Sequence, residues 1–427
     1  MPGTIPLSAV LALVATVASG ASDAQADQMS GIDAALGRAA TYLVSKQATD
    51  GAWHSETYSS LRDGPALSAY VMSGLFFLPQ GGEAQRESFR KGVRYLVAMV
   101  GPDGTIRGGP QGFNFPLHTA TMASRVVVLE SKTEENRKAQ AAWLEFARRR
   151  QLNATLGWQP DDLEYGGWGF STELARKPTP RERPAPFVEA NLSATLFGLA
   201  ALRSARVSLD DPAWQAALVF VRRCQNFSDD PALSDARFDD GGFYFMPGDV
   251  AQNKAGVAGQ DRGGRQRFHS YGSMTADGLR ALLQCGLSPD HPRVAAARTW
   301  LEQNFTATTH PGRFAGDREV LREATYYYYA WSVSHALVRL GIATLHTPRG
   351  DLRWAEALAA ELLRRQRPDG AWVNSFTDAK EDDPLIATPW AAAALAVCRE
   401  ALAPTSGAPL CPVSGRSTQP GSLAPAP

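Results

Sequence analysis

Asp277 is the residue in this sequence best placed to do chemistry. It stands in the run Ser270-Tyr-Gly-Ser-Met-Thr-Ala-Asp277-Gly-Leu-Arg-Ala-Leu-Leu, about two helical turns into an apolar stretch. A carboxyl desolvated at that depth keeps its proton and can act as a Brønsted acid toward an alkene or an epoxide. The alternative is an Asp277 that pairs with Arg280 or faces a neighbouring helix. The run Tyr326-Tyr-Tyr-Tyr329, followed by Trp331, covers every side of a helix. Some of these rings must face inward, where aromatic faces stabilise carbocations or stack on sugars, and others must pack. Glu189 and Asp63, with His118, form a second constellation, an acid and a base for cleaving a glycosidic or uronate linkage. His118, His269 and His335 fall on three different apolar stretches with no i, i+4 spacing and no supporting acid, so neither a metal nor a cofactor is expected. Arg262 and Arg265 sit in a Gly/Gln-rich insertion that reads first as a mobile surface loop and second as an arm over the mouth for an anion, and the acidic runs Asp161-Asp162-Leu-Glu164 and Glu381-Asp382-Asp383 read first as solvated loop carboxylates and second as cation ligands.

The elements that carry these residues repeat. Gln47-Ala-Thr-Asp50-Gly51-Ala-Trp53 recurs as Gln366-Arg-Pro-Asp369-Gly370-Ala-Trp372, with weaker copies at Gly104-Thr-Ile106, Gly166-Gly-Trp168, Gly241-Gly-Phe243 and Gly312-Arg-Phe314. A charged amphipathic stretch precedes each turn: Ile32 to Lys46, Ala84 to Met99, Glu134 to Arg150, Ala213 to Arg223, Val294 to Gln303 and Asp351 to Arg365. A stretch poor in charge follows each: Pro65 to Leu78, Leu117 to Leu129, Val188 to Leu202, Ser270 to Leu283, Ala324 to Leu340 and Thr388 to Leu402. The first set reads as outer helices and the second, apolar nearly all round, as inner ones. The expectation is an all-α fold, an α/α toroid of six helical hairpins and twelve helices closed into a ring, with little strand. Parallel inner helices would open their amino-terminal ends on one mouth. That mouth would carry Asp63, His118, Glu189, Asn191, His269, Tyr271, Tyr327, Tyr328, Thr388 and Trp390, with Asp383 just outside, and of these Asn191, His269, Tyr271, Tyr327, Tyr328 and Trp390 are candidate ligand-binding groups.

The Gln-x-x-x-Gly-x-Trp motif, met at Gln47/Gly51/Trp53 and Gln366/Gly370/Trp372 with looser copies starting at Gln151, Gln225 and Gln303, resembles the repeat of the squalene-cyclase and protein-prenyltransferase superfamily. The resemblance covers roughly Ile32 to Ala403 and implies the toroid. It does not imply the family's standard chemistry. Asp161-Asp162, Asp210-Asp211, Asp229-Asp230, Asp239-Asp240 and Asp382-Asp383 lack the acid two places upstream that an Asp-x-Asp-Asp motif needs, and none begins Asp-Asp-x-x-Asp. No cysteine has an Asp two places before it, as the zinc site of protein prenyltransferases requires. What the resemblance does imply is a central cavity for an apolar, isoprenoid-like ligand. A carbohydrate-active hydrolase or lyase and a non-catalytic protein-interaction ring are the alternatives, because toroids serve all three.

Forty-three basic and 43 acidic residues leave no field for nucleic acid. The apolar start of the chain with Ala24-Gln25-Ala26 reads as a signal peptide over 1–26, the toroid as 27–403, and the Pro/Ser-rich 404–427 as a disordered tail. A secreted or periplasmic protein follows, with no integral membrane segment in the mature chain and at most a peripheral membrane association. Its partner would be a small apolar ligand or a glycan. Cys224, Cys285, Cys398 and Cys411 read as four buried thiols or as one bridge between Cys398 and Cys411.

Overall fold

The computed structural model describes residues 27–79, 82–109, 112–179, 181–182, 187–376 and 378–403. The proposed signal segment, the tail and Cys411 lie outside them. The first helix, α1, is described over 27–45. It is followed by α2 (Pro65–Leu75), α3 (Glu83–Ala98), α4 (Pro116–Val126), α5 (Glu134–Arg148), α6 (Leu192–Ser204), α7 (Pro212–Arg223), α8 (Gly272–Gln284), α9 (Pro292–Asn304), α10 (Tyr326–Arg339), α11 (Trp354–Arg365) and α12 (Pro384–Leu402). The even-numbered helices pack in the order α2, α4, α6, α8, α10, α12 and back onto α2, so the inner ring is closed. The fold is the expected all-α toroid. Two antiparallel strand pairs, Val257–Gln260 with Gln266–Phe268 and Leu345–Thr347 with Gly350–Leu352, decorate the loops.

Composition sorts the two layers. Inner helices such as α2 and α6 are buried on nearly every side, whereas α3 and α5 bury one face and expose Glu, Lys and Arg on the other. Starts are written locally. Proline, whose missing N–H costs nothing there, opens α2, α4, α7, α9 and α12, and the Thr133, Asn191, Asp211 and Asp383 side chains accept from backbone N–H groups in the first turn. The sequence places the last inner helix at Thr388, but it begins at Pro384 and runs through Pro389. By length and apolarity alone α12 can cross a membrane, but 72% of its apolar window is buried as a wall of the ring.

The glutamine of the repeat holds neighbouring hairpins together. Gln47 Nε2 donates to the carbonyls of Gly51 in its own turn and Ser88 in the next outer helix, both at 2.8 Å. Gln151 bridges Gly166 and Ala213, at 2.9 Å each. Gln225 bridges Gly241 and Arg293, at 3.0 and 2.8 Å. Gln366 bridges Gly370 at 3.0 Å and Ala35 of α1 at 2.8 Å, joining the last outer helix to the first. Gln303, by contrast, is an exposed residue near the end of α9, so the loose copy read there is not a seam of this kind. The turn glycine is needed twice over. Gly370 has φ +90°, and a Cβ on it would stand 2.5 Å from the Arg38 carbonyl oxygen. The turn aromatic is pinned at both ends: Trp372 Nε1 donates to Leu362 O at 2.8 Å, and its backbone N–H to Thr388 Oγ1 at 3.0 Å. Trp53 with Leu43 and Ser68, and Trp168 with Ala147 and Thr195, repeat the arrangement.

Replacing Gln366 with Ala strands two carbonyls at the ring closure. It should lower unfolding free energy by about 2–3 kcal/mol in urea titrations. A loss under a few tenths would show that the seam does not hold the ring shut.

Candidate functional site

The repeat sets a layer of inward side chains five residues into each inner helix, at Tyr70, Thr121, Phe197, Asp277 and Trp331, with Trp390 at the matching level of α12 because Thr388 there takes the place of Ser68. Five aromatic or imidazole rings close over the ring centre. Trp331 and Trp390 have centroids 4.3 Å apart, Tyr70 and Trp390 4.7 Å, His118 and Phe197 5.3 Å, and Phe197 and Trp331 6.0 Å. Phe197 also stacks on Trp390 at 6.2 Å. Because α6 and α12 stand three places apart in a ring of six, that contact spans the lumen, and side chains fill it at this level.

Asp277 is wholly buried in this layer. One carboxyl oxygen accepts from Tyr328 Oη at 2.6 Å and Ser193 Oγ at 3.4 Å, and the other from Ser332 Oγ. The Arg280 guanidinium approaches that second oxygen at 3.6 Å, donates to Ser332 at 3.2 Å and lies 4.2 Å over the Trp331 ring. Burial nevertheless raises the carboxyl pKa, against the opposing pull of Arg280 and the three hydroxyls. Asp277 thus meets Arg280, and burial still lifts its pKa above the ordinary carboxylate value. His118, beside Tyr70 and Phe197, is pushed down to about 4 by burial and is neutral.

The remaining candidates are distributed around the mouth. Asp63 is buried, accepts from Asn114 N at 2.8 Å and Nδ2 at 3.3 Å, and has its pKa raised by desolvation. Glu189 is partly exposed in the loop before α6, which starts at Leu192 and not at Val188, where its apolar stretch begins. Asn191 accepts from Ala194 N at 2.9 Å as the cap of α6. His269 lies before α8, half-buried, with its pKa lowered by burial. Tyr271 caps α8 and is buried, with its hydroxyl unpartnered. Tyr327 donates to Val373 O at 3.3 Å and lines a 350 Å³ rim pocket with Arg364, Arg365, Val373, Asn374 and Ser375. The structure thus brings Asp277, His118, Tyr328 and Trp390 into one cluster and leaves the others in separate loops. Among the described residues no group of three His, Cys, Asp or Glu side chains is placed to share a metal ion. Cys224, Cys285 and Cys398 are buried thiols.

Sequence reasoning missed Ser193 and Ser332, which look like ordinary helix residues, and Glu381. The latter is 1% exposed and accepts from the backbone N–H groups of Tyr327 at 3.0 Å and Tyr328 at 2.8 Å, and from Asn374 at 3.2 Å. It thereby caps the helix that carries Tyr328 to Asp277. Burial, opposed by these hydrogen bonds, raises its pKa from 4.5 to about 7.

A carboxyl whose pKa is higher folded than unfolded weakens the fold as pH rises. Between about 4.5 and 7 the unfolded chain sheds its proton first, a loss on the order of 3 kcal/mol for this shift. Glu381→Gln should flatten that stretch of the stability curve, read by urea unfolding across the window. An unchanged slope would contradict the assignment.

No family model and no curated protein matches the chain. Solved structures do. A type II terpene cyclase, MstE from Scytonema, in complex with geranylgeranyl dihydroxybenzoate is similar with TM-score 0.51 and 15% identity, covering 88% of this chain and 98% of that one. Unsaturated glucuronyl hydrolase from Bacillus sp. GL1, responsible for degradation of glycosaminoglycan, is similar with TM-score 0.53 and 13% identity, covering 84% and 95%. At these identities the likeness establishes the fold, a terpenoid-cyclase-like α/α toroid.

Proposed function

We propose that the protein binds an apolar, isoprenoid-like ligand in the ring lumen and that Asp277 is its proton donor. The observation that carries this reading is the placement of one buried carboxyl, its pKa raised by burial, inside a layer of aromatic rings. A protonated acid in such surroundings can add its proton to a carbon–carbon double bond. The π faces of Trp331, Trp390, Phe197 and Tyr70 then offset the positive charge left on carbon. Tyr328, Ser332 and Ser193 fix the carboxyl, and Tyr328, only partly buried, stands between it and the amino-terminal mouth. The rings touch one another, so a ligand reaches Asp277 only by turning some of them aside. The same fold holds an isoprenoid substrate in the Scytonema cyclase.

The glucuronyl hydrolase likeness supports a glycan reading less well. Asp63 is bonded to Asn114 and Glu189 sits in the loop before α6, and no described contact sets the two carboxyls across a groove. We further propose that residues 1–26 export the protein and that its ligand is met outside the cytoplasm, at most at a membrane surface.

Organic extracts of the protein purified from an exporting host should contain a stoichiometric isoprenoid by mass spectrometry. Asp277→Asn should retain that lipid but lose turnover of squalene or a related polyene by about a hundredfold or more. A lipid-free extract from folded protein that also fails to consume squalene sinks the reading.

A further inference from the structure

Among the inner helices, α6 and α12 are capped by the side chains that precede them, Asn191 and Asp383. The two helices that carry Asp277 and Tyr328 are not. Tyr271 before α8 and Thr325 before α10 make no side-chain cap to their own first turns, and both helices are completed from other segments. Ser273 N, in the first turn of α8, donates to His310 Nε2 at 2.9 Å. That bond leaves the imidazole proton on Nδ1, which donates to Thr325 Oγ1 at 3.0 Å. The His310 ring is wholly buried and stacks on Tyr329 with centroids 5.0 Å apart. It therefore ties the start of α8 to the start of α10. Burial holds its pKa down to about 3, so it stays neutral and keeps this tautomer at ordinary pH.

With Thr325 turned to His310, the amides that open α10 fall to Glu381, 54 residues further along the chain. One carboxyl oxygen accepts from Tyr327 N at 3.0 Å and Asn374 Nδ2 at 3.2 Å, and the other from Tyr328 N at 2.8 Å. Tyr328 is thus held at both ends, its amide on Glu381 and its hydroxyl 2.6 Å from Asp277 and 3.1 Å from Ser193. The charged and titratable groups that face Glu381 are Lys254, itself paired with Asp378, and Tyr70 of α2 and Tyr327 of α10, which sense its charge. Its neighbours in sequence are turned away: Asp382 meets Tyr58, and Asp383 meets Ser55.

We propose that Glu381 and His310 are positioning residues for the proton donor, setting α10 against α8 at the height where the Tyr328 hydroxyl meets Asp277. This rests on the reading of Asp277 as the acid. Both residues act through the helices and not on the ligand. Glu381 also makes the setting depend on pH. Ionised, its oxygens only accept and they satisfy all three donors; protonated, one oxygen carries a hydrogen and meets its donor poorly. Burial, against the hydrogen bonds and the Lys254 cation, puts that change at about 7. The ionisation that weakens the fold overall tightens this one contact, so turnover climbs through that pH for as long as Asp277 keeps its proton.

The test is the pH profile of squalene turnover by the full chain, with carbon NMR of the tyrosine rings alongside. In the wild type kcat should rise through pH about 7. Glu381→Gln should abolish that rise and lower kcat about tenfold or more with KM nearly unchanged. His310→Phe keeps a ring against Tyr329 and loses both hydrogen bonds, so it should lower kcat and leave the rise in place. The Tyr328 ring resonance, assigned with Tyr328→Phe, should shift with the same midpoint in the wild type, a reading that needs no Glu381 variant to fold. A kcat and pH profile indifferent to Glu381→Gln, a kcat indifferent to His310→Phe, or a Tyr328 resonance that stays fixed across that range overturns the proposal. A wild type that consumes no polyene while Tyr328 still follows Glu381 removes Asp277 as the donor and leaves the clamp between the helices standing.

Discussion

A glutamine amide donating to two carbonyls, one in its own turn and one in the next outer helix, is the contact on which this ring depends. Helical hairpins have no intrinsic reason to meet at a fixed angle, since apolar burial is non-directional. The bridge supplies direction. Gln47 with Gly51 and Ser88, Gln151 with Gly166 and Ala213, Gln225 with Gly241 and Arg293, and Gln366 with Gly370 and Ala35 make the same two-carbonyl bridge at four of the six seams. A repeated offset that returns the last hairpin to the first makes a closed toroid, with no end left to cap.

Closure fixes what the centre can be. Six parallel inner helices leave a lumen into which each projects about one side chain per turn, so a single layer of large rings fills it. Trp331 meets Trp390, and Phe197 reaches across to Trp390. A carboxyl placed in such a layer loses its water, and the cost is offset by a nearby guanidinium and by hydroxyls. That is the situation of Asp277 between Tyr328, Ser332 and Ser193. Arg280 is held in turn by the Trp331 face and Ser332, so the acid and the cation share a support and need not neutralise one another.

Local patterns made the frame legible. The Gln-Gly-Trp spacing, the proline starts and the contrast between charged and uncharged helices all lie within one hairpin, and they placed most helices within a few residues. Asp277 was legible because its depth is counted along a single helix. The site's other half was not. Glu381 reads as a loop acid from its neighbours, yet it caps a helix 54 residues earlier in the chain. Nothing in the sequence says that Phe197 and Trp390 touch, since that depends on how each inner helix is rotated about its axis. Glu189 was placed on a helix that begins only at Leu192, because Val188 and Ala190 extend the apolar stretch while Asn191 provides the cap.

The sequence points to the amino-terminal mouth, where six helix dipoles present their positive ends and most candidate residues lie. There the backbone N–H groups are largely met from within: Asn191 caps α6, Asp383 caps α12, Glu381 caps α10, and His310 Nε2 accepts from Ser273 N in the first turn of α8. Each cap reduces what a ligand can gain from the dipole beneath it. At the opposite end, dipoles favour cations, and the His335 imidazole there donates from Nδ1 to the Trp331 carbonyl at 2.8 Å. Arg125 complements the carboxyl-terminal end of α4, whereas Arg280 lies a turn short of the end of α8, beside Asp277. Helix direction alone therefore does not say which end of the ring a ligand would favour, because side chains meet the dipoles from within.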